Sequence, residues 1–184
     1  ALEAPAEEAL PLETRETPGC NTIEAVCEFL KAPILKSVKA VAFTSEQGKL
    51  ILCFVRGDKT VNETKVANAF GVPEVEMAPD DMIRAAGTVP GYMGPIGLDT
   101  NKCTIIIDQT VMNMHNICCG ANQKDLHYVN AEPSRDFVYT LVTDISTAVA
   151  GDKCPHCGGH LLEARGIEVG QVFKLNTKYS AALH

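Results

Sequence analysis

Nowhere in this 184-residue sequence do Lys and Arg cluster. A protein that grips a long nucleic-acid duplex presents a basic face. The missing cluster excludes extensive duplex contact and leaves only contact with a terminus or a few nucleotides. Long apolar runs are also missing. None approaches the ~20 residues needed to cross a bilayer, and no signal peptide is recognisable, so no membrane association is expected. The sequence has no G-K-[ST] after a glycine loop, no GxGxxG, no HExxH and no cysteine-nucleophile signature. No Ser-His-Asp set can be picked out, so any hydrolysis here has to proceed without a covalent triad.

What is present fits one globular domain. Apolar residues make up 46% of the chain, enough for a single core. The net charge of −7 is uneven: residues 1–17 hold five Glu against one Arg. Residues 1–18 lack periodicity and read as a linker or extended arm. The chain starts at Ala1 rather than Met and stops abruptly at His184, which reads as an excised or processed piece. The eight cysteines are not spaced as a disulfide framework. Cys27 falls in a helical pattern, Cys53 in a strand-like run, and Cys118 and Cys119 are adjacent. They read as small buried hydrophobes in a reducing compartment, the cytoplasm.

Asn21, with Glu24 three residues on, predicts a capped helix whose apolar face is Ile23, Val26, Cys27 and Leu30, ended by Pro33. VKAVAFTS (38–45) and KLILCFV (49–55) predict a hairpin across Glu46, Gln47 and Gly48. Asn62 is placed to cap a helix through Phe70, with Gly71 as its stop. A short helix is expected from Pro79 to Gly87. Strands are expected over 104–108, 116–122 and 126–130, while 133–151 is ambiguous. The pattern is mixed α/β.

Four features are candidates to carry chemistry. Lys39 stands in a strand with apolar neighbours on either face. It reads either as a lysine snorkelling to water, the commoner outcome, or as a cation aimed into a cleft for phosphate or carbonyl oxygen. The loop GTVPGYMGPIG (87–97) holds four glycines and two prolines, so it is a shaped loop whose N–H groups are able to converge on an oxyanion. A Gly/Pro turn with no such task is commoner. Cys154 and Cys157 form the CPHCGG knuckle, but a second Cys-x-x-Cys is missing and His156 and His160 lie too close in sequence for an uncramped site. A β-turn with two free thiols is the commoner reading, with zinc as the alternative. His127 follows the Gly120–Asn122 turn, and a lone histidine is more often structural than catalytic.

The segments TPGCNTIEAVCEFL, VKA, VRGDKTVNETKV, GYMGPIGL, IIDQTV, CCGAN and LHYVN, followed by RGIEVGQVFKLNTKYS, run in one order from Thr17 onward. In that order they resemble the inserted editing domain of bacterial prolyl-tRNA synthetases, whose fold family includes the free-standing YbaK-like trans-editing proteins. The resemblance implies a mixed, mostly antiparallel sheet curled into a partial barrel with surrounding helices. It divides the chain into an arm (1–18), an editing domain (19–152) and an exit segment (153–184) returning to a class II catalytic domain. It implies cis hydrolysis of mischarged aminoacyl-tRNA(Pro), chiefly Ala-tRNA(Pro), at the acceptor CCA end. No cofactor is implied for editing; ATP and Mg would serve only the parent ligase.

Carried onto this chain, the resemblance assigns the working lysine to Lys39 and the GxxxP loop to Gly91, Gly94 and Pro95. It puts Asp58, Asn62, Lys65 and His127 near the substrate. Gln171 and Asn176 depart from the exit segment's usual GH and LGT. Two other roles stay open: a non-catalytic module that positions the acceptor stem or stabilises the synthetase, and a free-standing deacylase. A small zinc-binding module rests only on CPHCGG.

Overall fold

The computed structural model describes residues 7–154, 156–166 and 170. The exit segment beyond Gly166, with Gln171 and Asn176, therefore lies outside the described residues apart from Gly170. The chain divides into two compact units, with the division between Thr147 and Ala148.

The first unit is built on two sheets. β1 (Glu13–Glu16), β6 (Ile117–Gly120) and β7 (Leu126–Ala131) form an antiparallel sheet in the order β1-β7-β6. A mixed sheet orders β4-β2-β3-β5-β8, from β2 (Val38–Ser45), β3 (Leu50–Arg56), β4 (Val75–Met77), β5 (Thr104–Asp108) and β8 (Leu141–Thr143). Its β4-β2 and β2-β3 pairs are antiparallel, while β3-β5 and β5-β8 are parallel. A parallel bridge from Ser37 to Cys118 links the two sheets. The expected α/β architecture with mostly antiparallel pairing is what forms, although the sheets do not close into a barrel.

Alternation along the central strands explains the layers. Leu50, Leu52 and Phe54 of β3 and Ile105 and Ile107 of β5 pack with Ile117, Cys119 and Ala131 of the smaller sheet. Their alternates Ile51, Cys53, Val55 and Ile106 pack with Val66 and Ala67 of α2 (Glu63–Phe70). A strand apolar on both faces needs cover on both, and β3 is buried along all but its last residue.

Local signals set the helices. α1 (Ile23–Leu30) is capped by Thr22, one residue later than expected, because the Thr22 hydroxyl accepts from the Ala25 N–H at 3.3 Å. Pro33 precedes a short 3₁₀ turn, Ile34–Lys36. For α2 the Asn62 cap and the Gly71 stop are as expected, with Gly71 at φ 75°. α3 (Asp80–Ala85) stops before Gly87, and α4 (Pro133–Asp136) lies in the ambiguous stretch. Glu13–Glu16 of the expected arm is extended and paired with β7 as β1, an element that no periodicity announced.

In the second unit, Lys153 and His160 bridge antiparallel and the Cys154 N–H donates to the Gly159 carbonyl at 2.7 Å. Gly158 closes the turn at φ 71°, donating to the Cys154 carbonyl at 2.9 Å. The knuckle is thus a tight turn. Among the described residues no helix is long and apolar enough to cross a membrane.

Candidate functional site

Where the start of β2 meets α1 and β6, the first unit holds a cavity of about 110 Å³. Lys39 and Val38 line it from β2, Ile23 and Val26 from α1, Cys118 to Gly120 from β6, His127 from β7, and Gly91 and Met93 from the glycine loop. The cavity therefore brings together Lys39, Gly91 and His127 from three distant parts of the sequence. A larger groove of about 550 Å³, between Lys49, Met82 and Lys102, contains none of the expected residues.

Lys39 is half-buried, and its side chain makes no hydrogen bond or ion pair with any described residue. Its same-parity neighbours Val41 and Phe43 pack in the α2 layer. Because Lys39 is only the second residue of the strand, it reaches the sheet's end and the cavity. A lysine ammonium without a side-chain partner, on a residue that lines a cavity, is suited to phosphate or carbonyl oxygen.

His127 is 5% exposed. Its Nδ1 shares a hydrogen bond with the buried Thr17 hydroxyl at 2.6 Å, and its ring lies 5.7 Å from that of Tyr92. Burial pushes its pKa below the ordinary 6.5, so it is neutral at neutral pH. The neighbouring thiols are inert: burial raises Cys118 to about 12 and Cys119 well above the ordinary range. Neither supplies thiolate at neutral pH.

The glycine loop is held by backbone contact. Gly91 sits at φ 84°, and a Cβ there would press on Asn21 at 3.3 Å. Gly94 and Gly120 lie back to back: a Cβ on Gly94 would overlap the Gly120 carbonyl, and one on Gly120 would overlap the Tyr92 and Met93 carbonyls. Gly94 and Pro95 are thus behind the wall rather than in its lining. The Gly94 N–H donates to Asn122 Oδ1 at 2.9 Å, and the Pro95 carbonyl accepts from Val138 N–H at 2.9 Å. The N–H groups of Gly91 and Met93, both lining residues, have no acceptor among the described residues.

Asp58, Asn62 and Lys65 lie outside the lining. Asp58 pairs with Arg56 at 2.5 and 2.8 Å, and that guanidinium holds its carboxyl below the usual range. Asn62 Oδ1 accepts from the Lys65 N–H at 3.0 Å as the α2 cap. Lys65 Nζ donates to Asp144 Oδ2 at 2.7 Å and to the Ser146 carbonyl at 2.8 Å.

Thr17 and Asn122 stand in the sequence only as members of TPGCNTIEAVCEFL and CCGAN, with no role attached. Their parts depend on pairings more than 25 residues apart.

Among the described residues, no three His, Cys, Asp or Glu side chains converge on a point that would hold a metal. All eight cysteines are free. Backbone hydrogen bonds from Cys157 and His156 hold the exposed-side Cys154 thiol below its ordinary range.

A mixed sheet packed on a smaller one, with a lysine, a buried histidine and a glycine loop around one small cavity, defines a class. The chain belongs to the aminoacyl-tRNA editing domain family, which matches residues 17–136. Its relatives are more particular. It is 45% identical over 178 residues to a proline–tRNA ligase of Pelotomaculum thermopropionicum, covering 96% of this chain and 31% of that protein. It is 47% identical over 172 residues to one of Desulfitobacterium hafniense, covering 92% and 29%. The chain thus spans about a third of the length of these relatives. The fold is similar to that of a proposed trans-editing enzyme for prolyl tRNA synthetase, with TM-score 0.63, 20% identity, and coverage of 74% of this chain and 87% of that one.

Proposed function

We propose that the Lys39–Gly91–His127 cavity hydrolyses the ester of mischarged aminoacyl-tRNA(Pro), chiefly Ala-tRNA(Pro), as the cis-editing domain of a proline–tRNA ligase. The convergence of these three residues on one small cavity carries the reading. A synthetic site shaped for proline has little means of excluding a smaller amino acid, because a missing methylene changes binding by only about 1–3 kcal/mol. A second, smaller sieve that admits alanine and rejects the pyrrolidine ring corrects the error.

In this reading, water attacks the ester carbonyl and the C–O bond to the terminal ribose breaks; of the water's two protons one ends on the ribose oxygen and the other passes to solvent, so the amino acid departs as carboxylate. With Cys118 and Cys119 held protonated, neither of these cavity thiols takes the place of water. A hydroxyl of the terminal adenosine helps position the water. The N–H groups of Gly91 and Met93 are the candidates to receive the oxyanion, because the Gly94 N–H is committed to Asn122. Lys39 orients the terminal nucleotide or its phosphate, and neutral His127 borders the amino acid. For Asp58, Asn62 and Lys65 the proposal keeps only contact with tRNA outside the cavity, beside the structural partners described above. The free thiols favour a cytoplasmic setting.

The test is single-turnover deacylation of Ala-tRNA(Pro) and Pro-tRNA(Pro), by this chain added in trans and by the full-length synthetase. Release of alanine with proline retained is expected. No hydrolysis of either substrate in either setting would replace the proposal with a positioning module, and activity confined to the trans arm would favour a free-standing deacylase.

A further inference from the structure

We infer that Asn122 is the positioning residue for the cavity wall, and that it sets both the rate of the reaction and the discrimination between alanine and proline. The loop from Thr88 to Ile96 has no helix or strand; a turn inside it, in which the Tyr92 N–H donates to the Val89 carbonyl at 2.9 Å, leaves the rest of its shape to contacts from outside. Asn122 meets it at four residues. Its Oδ1 accepts from the Thr88 hydroxyl at 2.6 Å and from the Gly94 N–H at 2.9 Å. Its Nδ2 donates to the Ile96 carbonyl at 2.8 Å, and its own N–H donates to the Tyr92 carbonyl at 2.8 Å. Gly91 and Met93, which line the cavity, lie between these anchors.

The amide orientation is fixed by chemistry, because the Gly94 N–H can only donate and the Ile96 carbonyl can only accept. Thr88 is 2% exposed, so its hydroxyl has little access to water as an alternative partner. Asn122 occupies the left-handed region at φ 59°, which Asn and Gly tolerate better than other residues. The turn that carries it is itself tied down, since Asp125 Oδ1 accepts from the Tyr92 hydroxyl at 2.8 Å and from the Gly19 N–H at 2.9 Å. Asn122 does not line the cavity; it acts through the wall.

The inference rests on the editing function proposed above, and the test separates the two. Asn122→Gly keeps the backbone conformation and removes the amide. Asn122→Asp keeps the acceptor for Thr88 and Gly94 but sets a carboxylate oxygen against the Ile96 carbonyl. Both variants are expected to stay folded; Asn122→Gly removes the acceptor and should expose the Gly94 amide to faster hydrogen exchange, whereas Asn122→Asp keeps that amide bonded and loosens the loop at Ile96. They should lose roughly tenfold or more in kcat for Ala-tRNA(Pro), with KM little changed, and should narrow the preference for Ala-tRNA(Pro) over Pro-tRNA(Pro). Should either variant fail to fold, Thr88→Val removes one anchor alone and is read by kcat and selectivity. Unchanged Gly94 exchange in Asn122→Gly, or unchanged kcat and selectivity in both folded variants, would overturn the inference. An inactive wild type would instead remove the editing function, and the exchange result would still decide whether Asn122 holds the loop.

Discussion

Lys39 and His127 reach the cavity by opposite physical routes, one as an unpaired cation and the other as a buried neutral ring. Because the Lys39 side chain has no partner among the described residues, Lys39→Ala should leave the melting temperature nearly unchanged. In the editing assay it should lower turnover by roughly tenfold to a hundredfold; a wild-type rate from a folded variant would sink its assignment. His127 gives a pH signature. Its folded pKa is depressed below 6.5, so between the folded and unfolded values the unfolded chain binds more protons. The stability this contributes is fully present above about pH 6.5 and is lost as pH falls through that window. Urea midpoints measured from pH 7.5 to 5 should decline, and His127→Gln should flatten that decline.

At the scale of elements, the loop and β6 pack backbone on backbone. Gly94→Ala should cost about 1–3 kcal/mol of stability through overpacking against the Gly120 carbonyl, and denaturant unfolding would read it directly. Asn62→Ala should cost about 1 kcal/mol by removing the α2 cap, with deacylation of the folded variant little affected; a large loss of kcat would give Asn62 a part in the chemistry. The elements best read from sequence were those with local punctuation: Asn62 and Gly71 around α2, Pro79 and Gly87 around α3, and the Glu46–Gly48 turn between β2 and β3. β1 was not legible, because Glu13–Glu16 is polar throughout and extended only through its pairing with β7. The site was partly legible for the same reason. Lys39 and the glycine loop are conspicuous where they stand, whereas Thr17 and Asn122 gain meaning only from partners brought in by the tertiary fold.

For the molecule as a whole, sheet order does the functional work. The parallel bridge from Ser37 to Cys118 sets the β2 end, with Lys39, beside β6, and β7 delivers His127 next to it. The central claim is that the aminoacyl ester sits in this 110 Å³ cavity rather than in the larger groove near Lys49 and Lys102. The most direct measurement is an amide NMR titration with a non-hydrolysable amide analogue of 3′-alanyl-adenosine. The account predicts shifts concentrated at Lys39, Gly91, Met93, Gly120 and His127. Shifts at Lys49, Thr100 and Lys102 with none around the cavity would contradict it.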